Sequence, residues 1–233
     1  MHIVFAPDIQ ASDYTLNKEE SYHIIKVLRK RIDDKITLID GKGNFYSALI
    51  TYNDPKACTV KIIETHKDIE RGFSLHIAIA PAKNIDRFEW FVEKTVEIGI
   101  DEITPMICSR SERKTLRLDR LEKICISAVK QSIKATLPKF NPPALWKDVI
   151  QSPTSAQKFI ATCEENSNNH LKTKYNKGND ALILIGPEGD FSPEEIAVSI
   201  KYDFESVSLG ASRLRTETAG IVACHTINLI NNI

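Results

Sequence analysis

The chain has 233 residues, with 31 Lys and Arg against 31 Asp and Glu, 42% hydrophobic and 27% charged residues. That length and apolar content suffice for one large or two small domains with real cores, and they exclude a disordered charged tail or a partner argued from net charge. No uncharged apolar run approaches the roughly 20 residues of a bilayer span, and the opening MHIVFAPDIQASDY lacks the basic and apolar regions of a signal peptide, so a soluble, cytoplasmic chain with no membrane association is expected.

Taken in chain order, HIVFA reads as a strand, and Asn17 with Glu20 three residues later has the spacing of a helix cap before Tyr22, Ile25 and Leu28. KITLID, the turn Gly41-Lys42-Gly43, the alternating run NFYSALITY and then CTVKIIE predict a small, mostly β module. The charged segment HKDIERG, residues 66 to 72, closes it and predicts a boundary between domains 1–70 and 71–233. Beyond it strands alternate with helices. FSLHIAIA is an apolar strand, and Phe88, Phe91, Val92 and Val96 share one face of a helix ended by Gly99. EITPMI, a basic helix from about 118 to 134, KFIATC, ALILIG, a helix from Pro193, SVSLG and a last helix from about Thr216 complete an α/β pattern with a mainly parallel sheet. Residues 165–180 read as a surface loop. In such sheets ligands sit beyond the carboxyl ends of strands.

Charge is unevenly spread. Residues 110–140 carry Arg110, Arg113, Lys114, Arg117, Arg120, Lys123, Lys130, Lys134 and Lys139 against Glu112, Asp119 and Glu122, a local surplus that can collect phosphates or simply face solvent. The five cysteines are scattered without a C-x-x-C pair or a neighbouring histidine at metal spacing, which predicts reduced thiols and no metal site.

Two loops follow strands. In ALILIGPEGDFSPEEI a strand runs into Gly186-Pro187-Glu188-Gly189-Asp190, after which Ser192, Pro193 and Glu195 supply the cap, first-turn proline and capping-box carboxylate of a helix. The loop has the layout of a phosphate loop but carries two carboxylates, no lysine and not the G-x-x-x-x-G-K-[ST] spacing, so a neutral or cationic ligand held by backbone suits it better. In SVSLGASRLRTETAGIVACHTI a strand ends at Leu209-Gly210, a polar bend holds Arg213 and Arg215, and Thr216-Glu217-Thr218 opens an apolar helix. A tight glycine turn and a surface ion pair would account for these residues without any ligand.

Together, ILIGPEGDFSPEEI and VSLGASRLRTETAG resemble the closing signature of the SPOUT methyltransferase superfamily, of the RsmE type that methylates N3 of a uridine in small-subunit (16S) ribosomal RNA. HIIKVLRKRIDDKITLIDGKGNFYSALI resembles that family's PUA-like β-barrel, AKNIDRFEWFVEKTVEIGIDEITPM its first helix and strand, and CSRSERK its basic loop. The chain departs from the family at Asp190, where glycine is usual, at Ser212-Arg213, which replaces an arginine-isoleucine pair, and at Ile133-Lys134, where glycine and arginine follow the glutamine and serine.

The resemblance implies a C-terminal knotted α/β domain with a deep trefoil knot and a parallel sheet, a PUA-like RNA-binding barrel over 1–70, and a homodimer. It implies S-adenosylmethionine as cofactor, bound by Ile185, Gly186, Pro187, Glu188, Gly189, Leu209, Gly210, Leu214, Thr218 and Ala219, with Leu209, Leu214 and Ala219 as apolar walls. Its partner would be ribosomal RNA in the small subunit, gripped at phosphates by Lys26, Arg29, Lys30, Arg31, Arg110, Arg113 and Lys114. N3 of uracil is a poor nucleophile until its proton leaves, so Arg215 is the expected stabiliser of the resulting charge, with Glu217 holding Arg215 or taking the proton. A non-catalytic RNA-binding or assembly factor on the same fold, and a nucleotide enzyme with an α/β sheet, are the competing readings.

Overall fold

A computed structural model describes residues 3–163 and 169–232. The chain forms two compact units, Met1–Glu70 with Ile126–Leu137, and Arg71–Cys125 with Pro138–Ile233. The segment Ile126–Leu137 thus groups with the first unit although it lies well beyond residue 70 in the chain.

The first unit contains β1 (Ile3–Phe5), β2 (Asp13–Thr15), α1 (Lys18–Tyr22), β3 (Lys35–Ile39), β4 (Asn44–Tyr52) and β5 (Thr59–Lys67). The strands join in the order β1-β3-β4-β5-β2, antiparallel except for the β1–β3 pair. Alternation along β3 and β4 sends Ile36, Leu38, Ala48 and Ile50 to one core with Val4, Leu16, Ile24 and Val60. Asn17 caps α1 as its spacing predicts, its side-chain oxygen accepting from the Glu20 amide at 2.9 Å. The helix then loosens into a π-helical turn over His23–Val27, where a continuous α-helix through Leu28 had been expected.

The second unit contains β6 (Leu75–Ile79), α2 (Ile85–Ile98), β7 (Glu102–Ile107), the start of α3 (Leu118–Gln131), β8 (Lys139–Phe140), β9 (Ala144–Leu145), α4 (Trp146–Gln151), β10 (Gln157–Ala161), α5 (Leu171–Lys174), β11 (Ala181–Ile185), α6 (Pro193–Lys201), β12 (Glu205–Val207) and α7 (Thr216–Asn231). Its seven strands are all parallel, in the order β12-β10-β11-β6-β7-β8 with β9 also on β7. Central β11, ALILI, is buried at every residue, as a parallel strand covered on both faces must be. The register sets Ala161 beside Ile185 and Val207, so β10, β11 and β12 end level with one another. Behind them α7 packs on α2 and β6 at a glycine: a Cβ on Gly220 would lie 2.5 Å from the Phe91 ring and 3.0 Å from Ile79.

The stretch read as a loop is more structured than its polarity suggested. His170 caps α5, and Leu171 and Tyr175 are buried. Residues 165–168 of that stretch lie outside the described residues. Among the described residues no helix is long and apolar enough to cross a membrane, and no cluster of His, Cys, Asp and Glu could hold a metal ion.

Candidate active site

The level ends of β10, β11 and β12 open onto a cavity of about 640 Å³, a size usual for small-molecule sites. Three chain segments build it: Ala161–Cys163 with His170, Ile185–Asp190, and Ser208–Leu214 with Thr216 and Ala219. The strands fix these loops by their own hydrogen bonds. The Thr162 amide donates to Val207 O at 3.1 Å, and Ser208 exchanges backbone bonds with Asn169 and Leu171.

Of the expected cofactor residues, Ile185, Gly186, Pro187, Glu188, Leu209, Gly210, Leu214 and Ala219 line this cavity. Gly189 and Thr218 are not among the lining residues. Gly189 sits at the exposed tip of its loop beneath the Arg110 side chain. Thr216 and Ala219 are three apart on α7 and share the cavity face, which turns Glu217 and Thr218 away. Ala161, Thr162, Cys163, His170, Ser208, Ala211, Ser212, Arg213 and Thr216 also line it without having been assigned to the cofactor, as does Asp190 of the loop whose carboxylates suit a cationic ligand. The signal for the first three was available, since KFIATC is itself a strand whose carboxyl end belongs at such a site.

Side chains reaching backbone groups hold the loops. Thr216 Oγ1 donates to Gly186 O at 3.1 Å. Glu188 Oε1 accepts from the Lys83 amide at 2.9 Å, and Arg213 Nη2 donates to Glu188 O at 3.3 Å. Asp190 has φ of 61°, the left-handed region, which rationalises a position open to glycine and tolerant of aspartate. Its carboxylate accepts from the Phe191 amide at 2.8 Å and the Cys163 amide at 3.2 Å. Both carboxylates are met by neutral backbone N–H donors, which hold the loop in place. The capping box is present: Ser192 Oγ accepts from the Glu195 amide, and Glu195 Oε2 accepts from the Ser192 amide. The same buried carboxylate accepts from the Ser109 amide and hydroxyl, which ties down the basic loop after β7.

The expected Arg215–Glu217 pair is not formed. Arg215 is the N-cap residue of α7, exposed, and without a side-chain hydrogen bond or ion pair among the described residues. Glu217 is 7% exposed and faces Arg87 of α2 at 3.8 Å. Positions two apart at a helix start point in different directions, which is why sequence adjacency misled. Arg110 Nη1 donates to Gly189 O at 2.7 Å and Arg113 donates to the carbonyls of Ala82 and Lys83, whereas Lys114 is exposed. Lys26, Arg29, Lys30 and Arg31 lie in the first unit, with Lys26, Arg29 and Arg31 exposed, Lys30 half-buried and Arg29 in the left-handed conformation.

Two titratable groups at the cavity depart from ordinary values. Burial, then the nearby Lys172 charge, lowers the His170 imidazole, whose Nδ1 accepts from the Lys172 amide at 3.1 Å. Burial and then Asp190 raise the Cys163 thiol, which is thereby kept protonated and poorly nucleophilic. Cys163 is exposed, unlike the other four cysteines, and burial pushes Cys58 up to about 11 and Cys125 up to about 12.

The model of an RNA methyltransferase domain matches residues 70–228, and that of an RNA methyltransferase PUA domain matches residues 16–63. Ribosomal RNA small subunit methyltransferase E of Mesomycoplasma hyopneumoniae is 30% identical over 226 residues, covering 95% of this chain and 96% of that protein. Among solved structures, a probable rRNA-methyltransferase from Porphyromonas gingivalis superposes with a TM-score of 0.94 at 42% identity, covering 100% of this chain and 99% of that one. A ribosomal RNA small subunit methyltransferase E from Neisseria gonorrhoeae bound to S-adenosyl methionine superposes with a TM-score of 0.87 at 26% identity, covering 98% and 97%.

Proposed function

Since the chain belongs to the RNA methyltransferase family, we propose that it transfers a methyl group from S-adenosylmethionine to N3 of a uridine in 16S ribosomal RNA, with the small ribosomal subunit as substrate. The observation that carries this reading is the single cavity that both signature loops enclose at the ends of β10, β11 and β12.

The residues present fit that cofactor. It carries a sulfonium cation and no phosphate, and among the described residues the lining offers two carboxylates, Glu188 and Asp190, against the one guanidinium of Arg213. Ile185, Leu209, Leu214 and Ala219 supply apolar walls for an adenine, and the loop backbones supply its hydrogen bonds. When bound, S-adenosylmethionine supplies the electrophilic methyl group.

The chain's own residues have three tasks. The loops position the reacting groups, which can contribute much of the acceleration because no covalent enzyme intermediate is needed. Arg215, exposed and without a side-chain partner among the described residues, donates to the uracil carbonyl oxygens as the N3 proton passes to solvent water, and stabilises the spreading negative charge. Glu217, set by Arg87, positions the first turn of α7 on which Arg215 and Thr216 depend. We assign RNA contact to Lys26, Arg29, Lys30, Arg31, Arg110, Arg113 and Lys114. In this reading the second unit is knotted, and two copies of the chain associate.

The test incubates the protein with methyl-labelled S-adenosylmethionine and small subunits lacking the modification. Label in ribosomal RNA supports the reading. Binding of S-adenosylhomocysteine with no label in RNA would favour the assembly-factor alternative, and tight ATP binding indifferent to S-adenosylhomocysteine would favour a nucleotide enzyme.

A further inference from the structure

Beside the larger cavity lies a second one of about 290 Å³, lined by Lys83, Glu112, Arg113, Lys114 and Thr115. Three cations face one carboxylate there. Arg113 is half-buried and held by Nε at 3.2 Å from Lys83 O and 3.3 Å from Ala82 O, and by Nη2 at 2.8 Å from Lys83 O. Among the described residues its acceptors are neutral carbonyls, so the guanidinium is fixed in place without a direct ion pair and Nη1 is still able to donate. Lys114 is exposed and makes no ion pair or side-chain hydrogen bond among the described residues. Lys83 Nζ meets Glu112 at 2.9 Å, but both side chains are more than half exposed, and such a pair is weak enough for another anion to compete.

The position matters as much as the charge. The Lys83 amide donates to the Glu188 carboxylate, and Arg213 donates to the Glu188 carbonyl, while Glu188 and Arg213 line the larger cavity. The Lys83–Glu188 hydrogen bond therefore ties the lining of one cavity to the lining of the other.

We propose that the smaller cavity is a phosphodiester subsite that grips the RNA strand beside the target nucleotide, with Lys83 and Lys114 as mobile ligands around a fixed Arg113. This rests on the RNA methyltransferase reading above and deepens it. Arg113 supplies preorganised charge, and the Thr115 hydroxyl adds a neutral donor at the rim. Glu112 acts as a brake, holding Lys83 until a phosphate displaces it. The contact gives affinity and register without reading sequence, leaving base choice to the larger site.

The test measures binding of a short, uridine-containing single-stranded RNA by fluorescence anisotropy across a salt series. The full-length protein is compared with the Lys83→Ala, Lys114→Ala double variant and with Glu112→Gln. For the double variant the slope of log affinity against log salt should flatten by about 0.7 per lost contact, with calorimetric affinity for S-adenosylhomocysteine unchanged. Glu112→Gln should bind the RNA more tightly because Lys83 is released. A neutral methylphosphonate at the linkage beside the uridine should weaken binding to the unaltered protein and leave the double variant indifferent. An unchanged slope, or equal methylphosphonate losses in both proteins, would overturn the subsite alone. An unaltered protein that binds S-adenosylhomocysteine but not this RNA would overturn the subsite, while the methyltransferase reading stands or falls on the small-subunit labelling above.

Discussion

Thr216 donates its hydroxyl to the Gly186 carbonyl at 3.1 Å, and this buried bond joins the loop after β11 to the first turn of α7. Valine at 216 keeps the shape and deletes the donor. The Gly186 carbonyl then loses that partner in a buried setting, a loss of about 1–3 kcal/mol. Urea unfolding of Thr216→Val should show it, together with weaker S-adenosylhomocysteine binding. Unchanged midpoint and affinity would mean the two loops hold without the bond.

Gly186 itself is closed to side chains. A Cβ there would stand 3.0 Å from Phe191 Cδ2 and 3.3 Å from the Phe191 amide nitrogen, and Phe191 is 2% exposed with little room to yield. Gly186→Ala should therefore cost about 1–3 kcal/mol of stability, as overpacking does, and should reduce cofactor affinity by reshaping the loop. Wild-type denaturation and wild-type affinity would show that the loop accommodates a methyl group.

Arg215 separates chemistry from binding. Among the described residues its side chain makes no hydrogen bond or ion pair that would hold the cofactor loops, and its proposed partner charge develops only as the uracil loses its proton. Arg215→Ala should lower single-turnover methylation by orders of magnitude more than it lowers S-adenosylhomocysteine affinity. Equal loss of both would make Arg215 a cofactor contact. Arg215→Lys should recover little, because a point charge does not replace the planar fork.

Acid should destabilise the second unit through His76 of β6, whose Nε2 meets Thr104 Oγ1 at 2.8 Å. Burial, and secondarily the Lys139 charge, lower this imidazole below its ordinary 6.5 against the opposing pull of Glu102. Between the folded-state value and 6.5 the unfolded chain binds more protons than the folded one. Stability is therefore full above 6.5, falls as pH drops below it, and levels off once the folded-state value is passed. Urea midpoints from about pH 8 to about pH 5 should follow that course, and His76→Gln should flatten it. A wild-type midpoint constant across the range would contradict the assignment.

Much of this was legible in the residues because local chemistry and tertiary context agree. The capping box at Ser192 and Glu195, the Asn17 cap and the buried run of β11 all appear where their patterns place them. The failures have physical causes. Strand β2, only three residues with Tyr14 alone partly buried, carries no hydrophobic period to read. The grouping of Ile126–Leu137 with the first unit is long-range packing, which no local pattern encodes. At the site, the glycine loops were readable, but Cys163 and His170 enter the cavity through the pairing of β10 with β12 and the bridge from His170 to Ser208. The Glu217–Arg87 contact likewise joins residues far apart in the chain, and the nearer arginine attracted the pairing instead.

The central claim is tested most directly by the identity of the methylated nucleoside. Small subunits lacking the modification are treated with the protein and isotopically labelled S-adenosylmethionine, the RNA is digested to nucleosides, and the labelled product is identified by mass spectrometry. The account predicts labelled N3-methyluridine. Label on another atom or another base, or none in an RNA that the protein binds, would contradict it.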